Sequence, residues 1–204
     1  EVMSAGISSA NQLRALIEPA AVLVVGPGLG QASWGRSLLS AAANAQRPQV
    51  WDADALNLLA VGVVTLPPDS VITPHPGEAA RLLGVSTQAV QADRPAAAQA
   101  LAQKYKTVVV LKGAGSLIAS VDGRLALCDH GHPAMATAGL GDVLAGLVGA
   151  LMAQKLPAFE AACLAVWLHA SAGERAGKSG RGLAASDVIP AIRQLLEEQS
   201  PCLN

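Results

Sequence analysis

The stretch Thr137-Ala138-Gly139-Leu140-Gly141-Asp142 combines small residues, spaced glycines and a carboxylate, and runs directly into the apolar segment 143–152. A glycine-rich turn that opens a helix gathers several backbone N–H groups where the helix dipole is positive, which suits an anion. Asp142 stands at the lip of that site. It reads either as an acid in the first helical turn or as a catalytic base beside an oxyanion-type hole, whose amides need no reorganisation to meet developing charge. The first reading accounts for Asp142 and leaves the two glycines unexplained.

Four other clusters carry chemical groups. Lys112-Gly113-Ala114-Gly115-Ser116 offers a cation, a pliable backbone and a hydroxyl directly after an apolar run. These are phosphate-binding components, and equally those of a bulge with a solvated lysine. Gly26-Pro27-Gly28-Leu29-Gly30 fits neither G-x-G-x-x-G nor the G-x-x-x-x-G-K-[ST] loop, so a structural turn and a ligand loop are both compatible with it. Asp52, Asp54 and Asn57 follow another apolar run; the spacing alone favours a helix cap plus a solvated acid over a metal-phosphate or ribose contact. In Pro74-His75-Pro76-Gly77-Glu78, two prolines fix the backbone around a histidine, which suits binding or acid–base work by its imidazole. Glu78 also fits a first-turn dipole partner. His169 reads as a satisfied core or interface histidine, and His132 is near enough to the glycine loop to touch a ligand.

The elements that must position these groups follow from punctuation and periodicity. Apolar runs 21–25, 49–53, 71–73 and 107–111 each end at a turn, and the first three lead into helix-like segments, the pattern of buried parallel strands in βα units. Helices are expected over 33–45, 54–59 and 78–83, the last halted by Gly84. Ser86 caps another, which Asp93 and Pro95 restart as a second segment running to about Lys104. Asp122-Gly123 between the runs 117–119 and 124–127 marks a hairpin. Three helices then follow over 142–153, 158–176 and about 186–198. The sum is one α/β domain, an open sandwich with a mostly parallel sheet and an antiparallel hairpin at one edge.

Composition bounds the function. Hydrophobic residues form 51% of the 204 and aromatics 2%, so the core is built from Ala, Val, Leu and Ile. A net charge of −1 without a basic block gives no footprint for nucleic acid or an anionic membrane. Cys128, Cys163 and Cys202 match no metal or redox spacing and read as buried free thiols in a reducing compartment. Neither a signal peptide nor a bilayer-spanning run is expected, which points to a soluble, cytoplasmic protein. The opening Glu1-Val2-Met3-Ser4 has no initiator methionine, as expected of a fragment.

Taken together, the strings 24–30, 52–57, 73–84, 111–116 and 135–146 resemble the NAD(P)H-hydrate dehydratase domain, a carbohydrate kinase-like branch of the ribokinase-like superfamily. They occur in that family's order over nearly the whole chain. The resemblance implies a ribokinase-like three-layer α/β/α sandwich. It implies a repair enzyme that removes water from NADHX or NADPHX, with ADP (ATP in eukaryotic-type members) as co-substrate and Mg2+ as cofactor. Carried over by motif position, Gly28, Gly30 and His75 contact the hydrated dinucleotide. Lys112, Gly113, Ala114, Gly115, Ser116, Gly139 and Gly141 contact the nucleotide, and Asp142 meets the substrate hydroxyl as catalytic base. No residue is assigned as a metal ligand.

The resemblance further implies a homo-oligomer, a tetramer in the family, and a fused or partner epimerase domain. Ser116 keeps the hydroxyl of the more usual threonine, and Ala138 replaces a common glycine, so its backbone must tolerate a Cβ. The family domain normally begins with a glycine-rich strand-turn-helix segment preceding anything in this chain, so 1–204 is expected to be a single dehydratase domain without it. Two rivals stand beside this reading: a thiazole or pyrimidine alcohol kinase of the same fold, against which the Pro-His-Pro-Gly-Glu string argues, and a nucleotide-binding module without catalysis.

Overall fold

The computed structural model describes residues 3–178 and 180–200; Cys202 lies outside the described residues. After helix α1 (Ala10–Ile17), the chain alternates strands and helices: β1 (Leu23–Val25), α2 (Ser33–Ala43), β2 (Gln49–Trp51), α3 (Asp54–Ala60) and β3 (Ser70–Ile72). Three helices follow, α4 (Pro76–Leu83), α5 (Thr87–Ala92) and α6 (Arg94–Tyr105), before β4 (Val108–Leu111) and the hairpin β5 (Ser116–Ala119) and β6 (Leu125–Cys128). A 3-10 turn (Pro133–Met135) leads to α7 (Leu140–Ala153), α8 (Ala158–Gly177) and α9 (Ala185–Gln199).

The six strands lie side by side in chain order. β1 to β4 are parallel, with Val24 opposite Val50, Val50 opposite Val71 and Val71 opposite Val108. β5 and β6 close the sheet antiparallel, as the Asp122-Gly123 turn foretells. Strand periodicity sorts side chains to two faces. Trp51, Ile72, Val109 and Leu111 pack with Leu39, Leu56, Leu82 and Leu101 from α2, α3, α4 and α6. Val50, Val71, Val110 and Ile118 pack with Leu144, Val148, Ala162 and Val166 from α7 and α8. Strands added in one direction by right-handed crossovers put all their connecting helices on one face, so the second face waits for α7 and α8. Helix α9 rests on those two through Leu140, Leu168, Val188 and Ile192.

The result is the expected three-layer sandwich, with one early start and one clean break. Helix α4 begins at Pro76 rather than Glu78, because His75 and Pro76 are its cap and first residue. The break at Asp93 holds: its side chain accepts from Ala96 N at 3.0 Å and starts α6 afresh. Among the described residues no helix is long and apolar enough to cross a membrane. Cys128 is a buried free thiol and Cys163 a half-buried one; burial pushes both thiol pKa values up.

Candidate active site

All four parallel strands deliver their following loops to one edge of the sheet, their carboxyl ends, where ligands of such folds sit. The loop after β1 is shaped by close approach. Gly26, at φ +131, passes so near the Asp52 carbonyl that a Cβ would lie 1.8 Å from its oxygen. Gly28 and Gly30, at φ +67 and +74, face open space. Gly30 N donates to Asp54 Oδ2 at 2.9 Å, so this amide is engaged within the protein.

After β2 the sequence expectation needs correction. Asp52 is not a solvated acid: it is 2% exposed, and it accepts from Thr73 Oγ1 at 2.8 Å and Lys112 Nζ at 2.6 Å. Nor does it cap α3, whose N-cap is Ala53 at φ 49, ψ −119 without a side-chain hydrogen bond. A non-glycine residue there costs of order 1–3 kcal/mol. The bend aims Asp52 into the cluster and Asp54 towards the Gly30 loop. Asn57 accepts from Arg81 at 2.6 Å and ties α3 to α4 instead of joining the two acids.

His75 also has a structural task that the spacing concealed. Its Nδ1 accepts from Gly77 N at 3.0 Å and Glu78 N at 3.4 Å, while Glu78 Oε2 accepts from His75 N at 2.8 Å. This is a capping box with imidazole in place of a hydroxyl. An Nδ1 that accepts leaves the proton on Nε2, which lies 3.6 Å from Glu78 Oε1. The side chain is still 48% exposed, so the ring can serve a ligand as well as the helix.

Lys112 closes the cluster. Its ammonium meets Asp52 and lies 3.9 Å from Glu78 Oε2, and the side chain is 17% exposed. The expected choice between a phosphate-binding cation and a solvated lysine omitted this arrangement: the charge is already matched by two buried carboxylates. Ser116 turns its hydroxyl inward, donating to Gly113 O at 3.0 Å and accepting from Gly113 N at 3.3 Å. Gly113 and Ala114 are exposed, and Gly115 sits at φ +68.

The N-terminus of α7 arrives at the same place from the opposite layer. A Cβ on Gly141 would lie 3.2 Å from Lys112 Nζ and 3.5 Å from Asp52 Oδ2, so the glycine permits this contact. Gly139 is the N-cap at φ 85, with no side chain to satisfy the first amides. Ala138 has no positive φ, in keeping with its Cβ. Asp142 is exposed in the first turn; among the described residues its carboxylate makes no capping hydrogen bond and no ion pair. The helix-start reading therefore describes its position and leaves its carboxylate uncommitted.

Behind this turn lies His169 on α8, 8% exposed, with Nε2 unpartnered. It is buried as expected but not satisfied. Desolvation lowers its pKa to about 4, against a backbone hydrogen bond at Leu140, with Lys112 adding a small push in the same direction. His132 caps the 3-10 turn through Ala134 N and packs on Gly177, where a Cβ would fall 2.4 Å from its ring. It borders a cavity of about 540 Å³ beside Thr137, walled also by Pro133, Ala134 and the stretch 180–183. That cavity lies apart from the Asp52–Lys112 pair. His130 instead pairs with Glu174 at 3.1 Å.

The sheet edge thus brings together Gly26–Gly30, Asp52, His75, Glu78, Lys112 and Gly141. Nothing in the spacing signals that Asp52 and Glu78 are the buried partners of Lys112, or that Thr73 holds Asp52 from the other side. A family model described as NAD(P)H-hydrate dehydratase matches residues 1–194. The chain is 44% identical over 198 residues to a bifunctional NAD(P)H-hydrate repair enzyme Nnr of Coxiella burnetii, covering 96% of this chain and 40% of that protein. It is 42% identical over 185 residues to an ADP-dependent (S)-NAD(P)H-hydrate dehydratase of Neisseria meningitidis, covering 84% of this chain and 62% of the relative.

Among solved structures, the ADP/ATP-dependent NAD(P)H-hydrate dehydratase from Bacillus subtilis co-crystallised with ATP/Mg2+ superposes with a TM-score of 0.77 at 29% identity, over 87% of this chain and 64% of that one. The architecture is shared with ribokinase-like proteins. The chain spans about two fifths of the bifunctional relatives' length. Its match over 1–194 makes it a member of the NAD(P)H-hydrate dehydratase family.

Proposed function

We propose that this chain is an ADP-dependent (S)-NAD(P)H-hydrate dehydratase that restores NADH or NADPH from NADHX or NADPHX, releasing AMP and phosphate. The observation that carries the reading is the α7 terminus: an uncommitted Asp142 carboxylate beside uncapped amides, facing the Lys112 cluster. The names of the relatives above support the substrates. Asp142 takes the proton of the ring hydroxyl, whose oxygen attacks the terminal phosphorus of ADP as the bond to AMP breaks. Phosphate then leaves the ring with that oxygen, a ring proton departs, and the double bond returns. Amides at Gly139 and Gly141 meet the charge on the phosphoryl in flight.

The 112–116 turn holds the nucleotide's phosphates, and His75, Gly28 and Gly30 hold the hydrated dinucleotide. Gly28 and Gly30 have the open space that close backbone approach requires. The cavity at Thr137 has the size of a nucleoside site. Among the described residues no three His, Cys, Asp or Glu side chains converge on one point, and Asp52 and Glu78 are committed to Lys112. Mg2+ bound together with the nucleotide would supply positive charge against the phosphates at the 112–116 turn. A fused epimerase domain, a homo-oligomeric (tetrameric) assembly and a cytoplasmic location complete the proposal; the bifunctional relatives support the first.

The test mixes the protein with chemically prepared NADHX and ADP and follows the reduced-nicotinamide absorbance. Recovery that needs ADP, and that Asp142→Asn lowers by about 10²-fold or more, supports the enzyme. Phosphorylation of a thiazole or pyrimidine alcohol instead would make it a kinase, and ADP binding without recovery a non-catalytic module.

A further inference from the structure

Arg94 belongs to none of the groups described above, yet its guanidinium grips the 112–116 turn from behind. Nη2 donates to Leu111 O at 3.3 Å and Gly115 O at 3.0 Å, and Nη1 reaches Lys112 O at 3.5 Å. A Cβ on Gly113, at φ +150, would fall 2.7 Å from Nη1 and 3.0 Å from Nη2, so that glycine is what lets the guanidinium lie on the turn. The Asp93 cap sets where Arg94 leaves α6, with Pro95 as the second helical residue. The one remaining partner is neutral, Gln91 Oε1 at 3.2 Å. Among the described residues Arg94 has no carboxylate partner. This is unusual for a half-buried cation, and desolvation accordingly lowers its pKa.

We infer that Arg94 is a positioning residue for the nucleotide: it turns the carbonyls of the 111–115 segment inward, and its unmatched charge awaits the phosphates on the other side of the turn. Because a trans peptide holds C=O and N–H in opposite directions, drawing the Lys112 carbonyl towards Arg94 turns the Gly113 amide away from it and onto Ser116 Oγ at 3.3 Å, which fixes the shape of the turn. The charge acts through one layer of backbone, without contact. This rests on the proposal that ADP binds at the 112–116 turn.

The test measures ADP affinity by calorimetry, and KM for ADP and NADHX separately, in wild type, Arg94→Lys and Arg94→Gln, with thermal midpoints alongside. Arg94→Gln should raise Kd and KM for ADP by about tenfold to a hundredfold, the order expected of unit charges about 8 Å apart at an effective dielectric of about 20, while KM for NADHX stays within about twofold. Arg94→Lys keeps the charge and loses the fork, so it should recover only part of the loss. Millimolar guanidinium added to Arg94→Gln should restore affinity, which a purely structural defect would not allow. The inference is overturned if both variants bind ADP like wild type, or if KM for both substrates moves in parallel with the thermal midpoint. Wild-type protein without ADP affinity would overturn the nucleotide reading as well. Should Arg94→Gln not fold, Arg94→Lys decides by the same split between the two KM values.

Discussion

Replacing Lys112 with methionine tests the buried charge cluster most directly. The familiar expectation for a phosphate-binding lysine is weaker nucleotide binding on an intact fold. The geometry predicts a stability loss first. Lys112 Nζ lies 2.6 Å from Asp52 and 3.9 Å from Glu78, whose side chains are 3% and 6% exposed. Without the ammonium, two carboxylates stay buried with only the Thr73 hydroxyl and the His75 amide as donors. Removing one partner of a buried ion pair costs about 3–5 kcal/mol. At about 2–4 °C per kcal/mol for a domain of this size, the thermal midpoint should fall by roughly 6–20 °C. Urea unfolding followed by circular dichroism gives the free energy directly. The double variant Lys112→Met with Asp52→Asn keeps an acceptor for Thr73 and removes one stranded charge, so it should recover more than about half of the loss. A loss below about 1 kcal/mol in the single variant, the worth of an exposed pair, would refute the reasoning.

Two further outcomes separate structural from binding roles. His75→Ala removes the α4 cap and should cost about 1 kcal/mol, whereas His75→Asn can cap the helix, so it should keep the thermal midpoint and still raise KM for NADHX. Equal loss of stability in both variants would deny the capping role. His169 is neutral in the fold, with a pKa near 4 against an ordinary 6.5. The unfolded chain therefore binds the extra proton between those values, and stability is full above about pH 6.5 and declines by on the order of 3 kcal/mol as pH falls to 4. Urea midpoints across that range should slope less in His169→Leu; an unchanged slope would place the titration elsewhere.

Much of the fold was readable because its signals are local. Apolar runs ending at turns gave the parallel strands, Asp122-Gly123 gave the hairpin, and Asp93 with Pro95 gave a helix boundary. The glycine stretch before α7 was readable too, since a helix start and its amides need no distant partner. What stayed hidden depends on residues far apart in the chain. Asp52 looked like a cap because spacing carries no information about Lys112, sixty residues on. The two prolines around His75 suggested a ligand-binding ring because imidazole is not an ordinary capping group. Arg94 gave no signal at all: its partners are carbonyl oxygens, which every residue has.

The strand order has a consequence for how the chain is made. Residues 23–128 emerge from the ribosome with one sheet face already covered by their own helices, while Val50, Val71, Val110 and Ile118 on the other face await α7 and α8, which begin only at Leu140 and Ala158. Until those helices arrive the nascent sheet shows an apolar surface to every neighbour, the situation in which chaperones are recruited and chains associate wrongly. Gly141 and Asp142 reach the other half of the site in the same event that buries that surface. A chain that has not yet placed α7 therefore holds Asp52, Glu78 and Lys112 without Gly141 beside them.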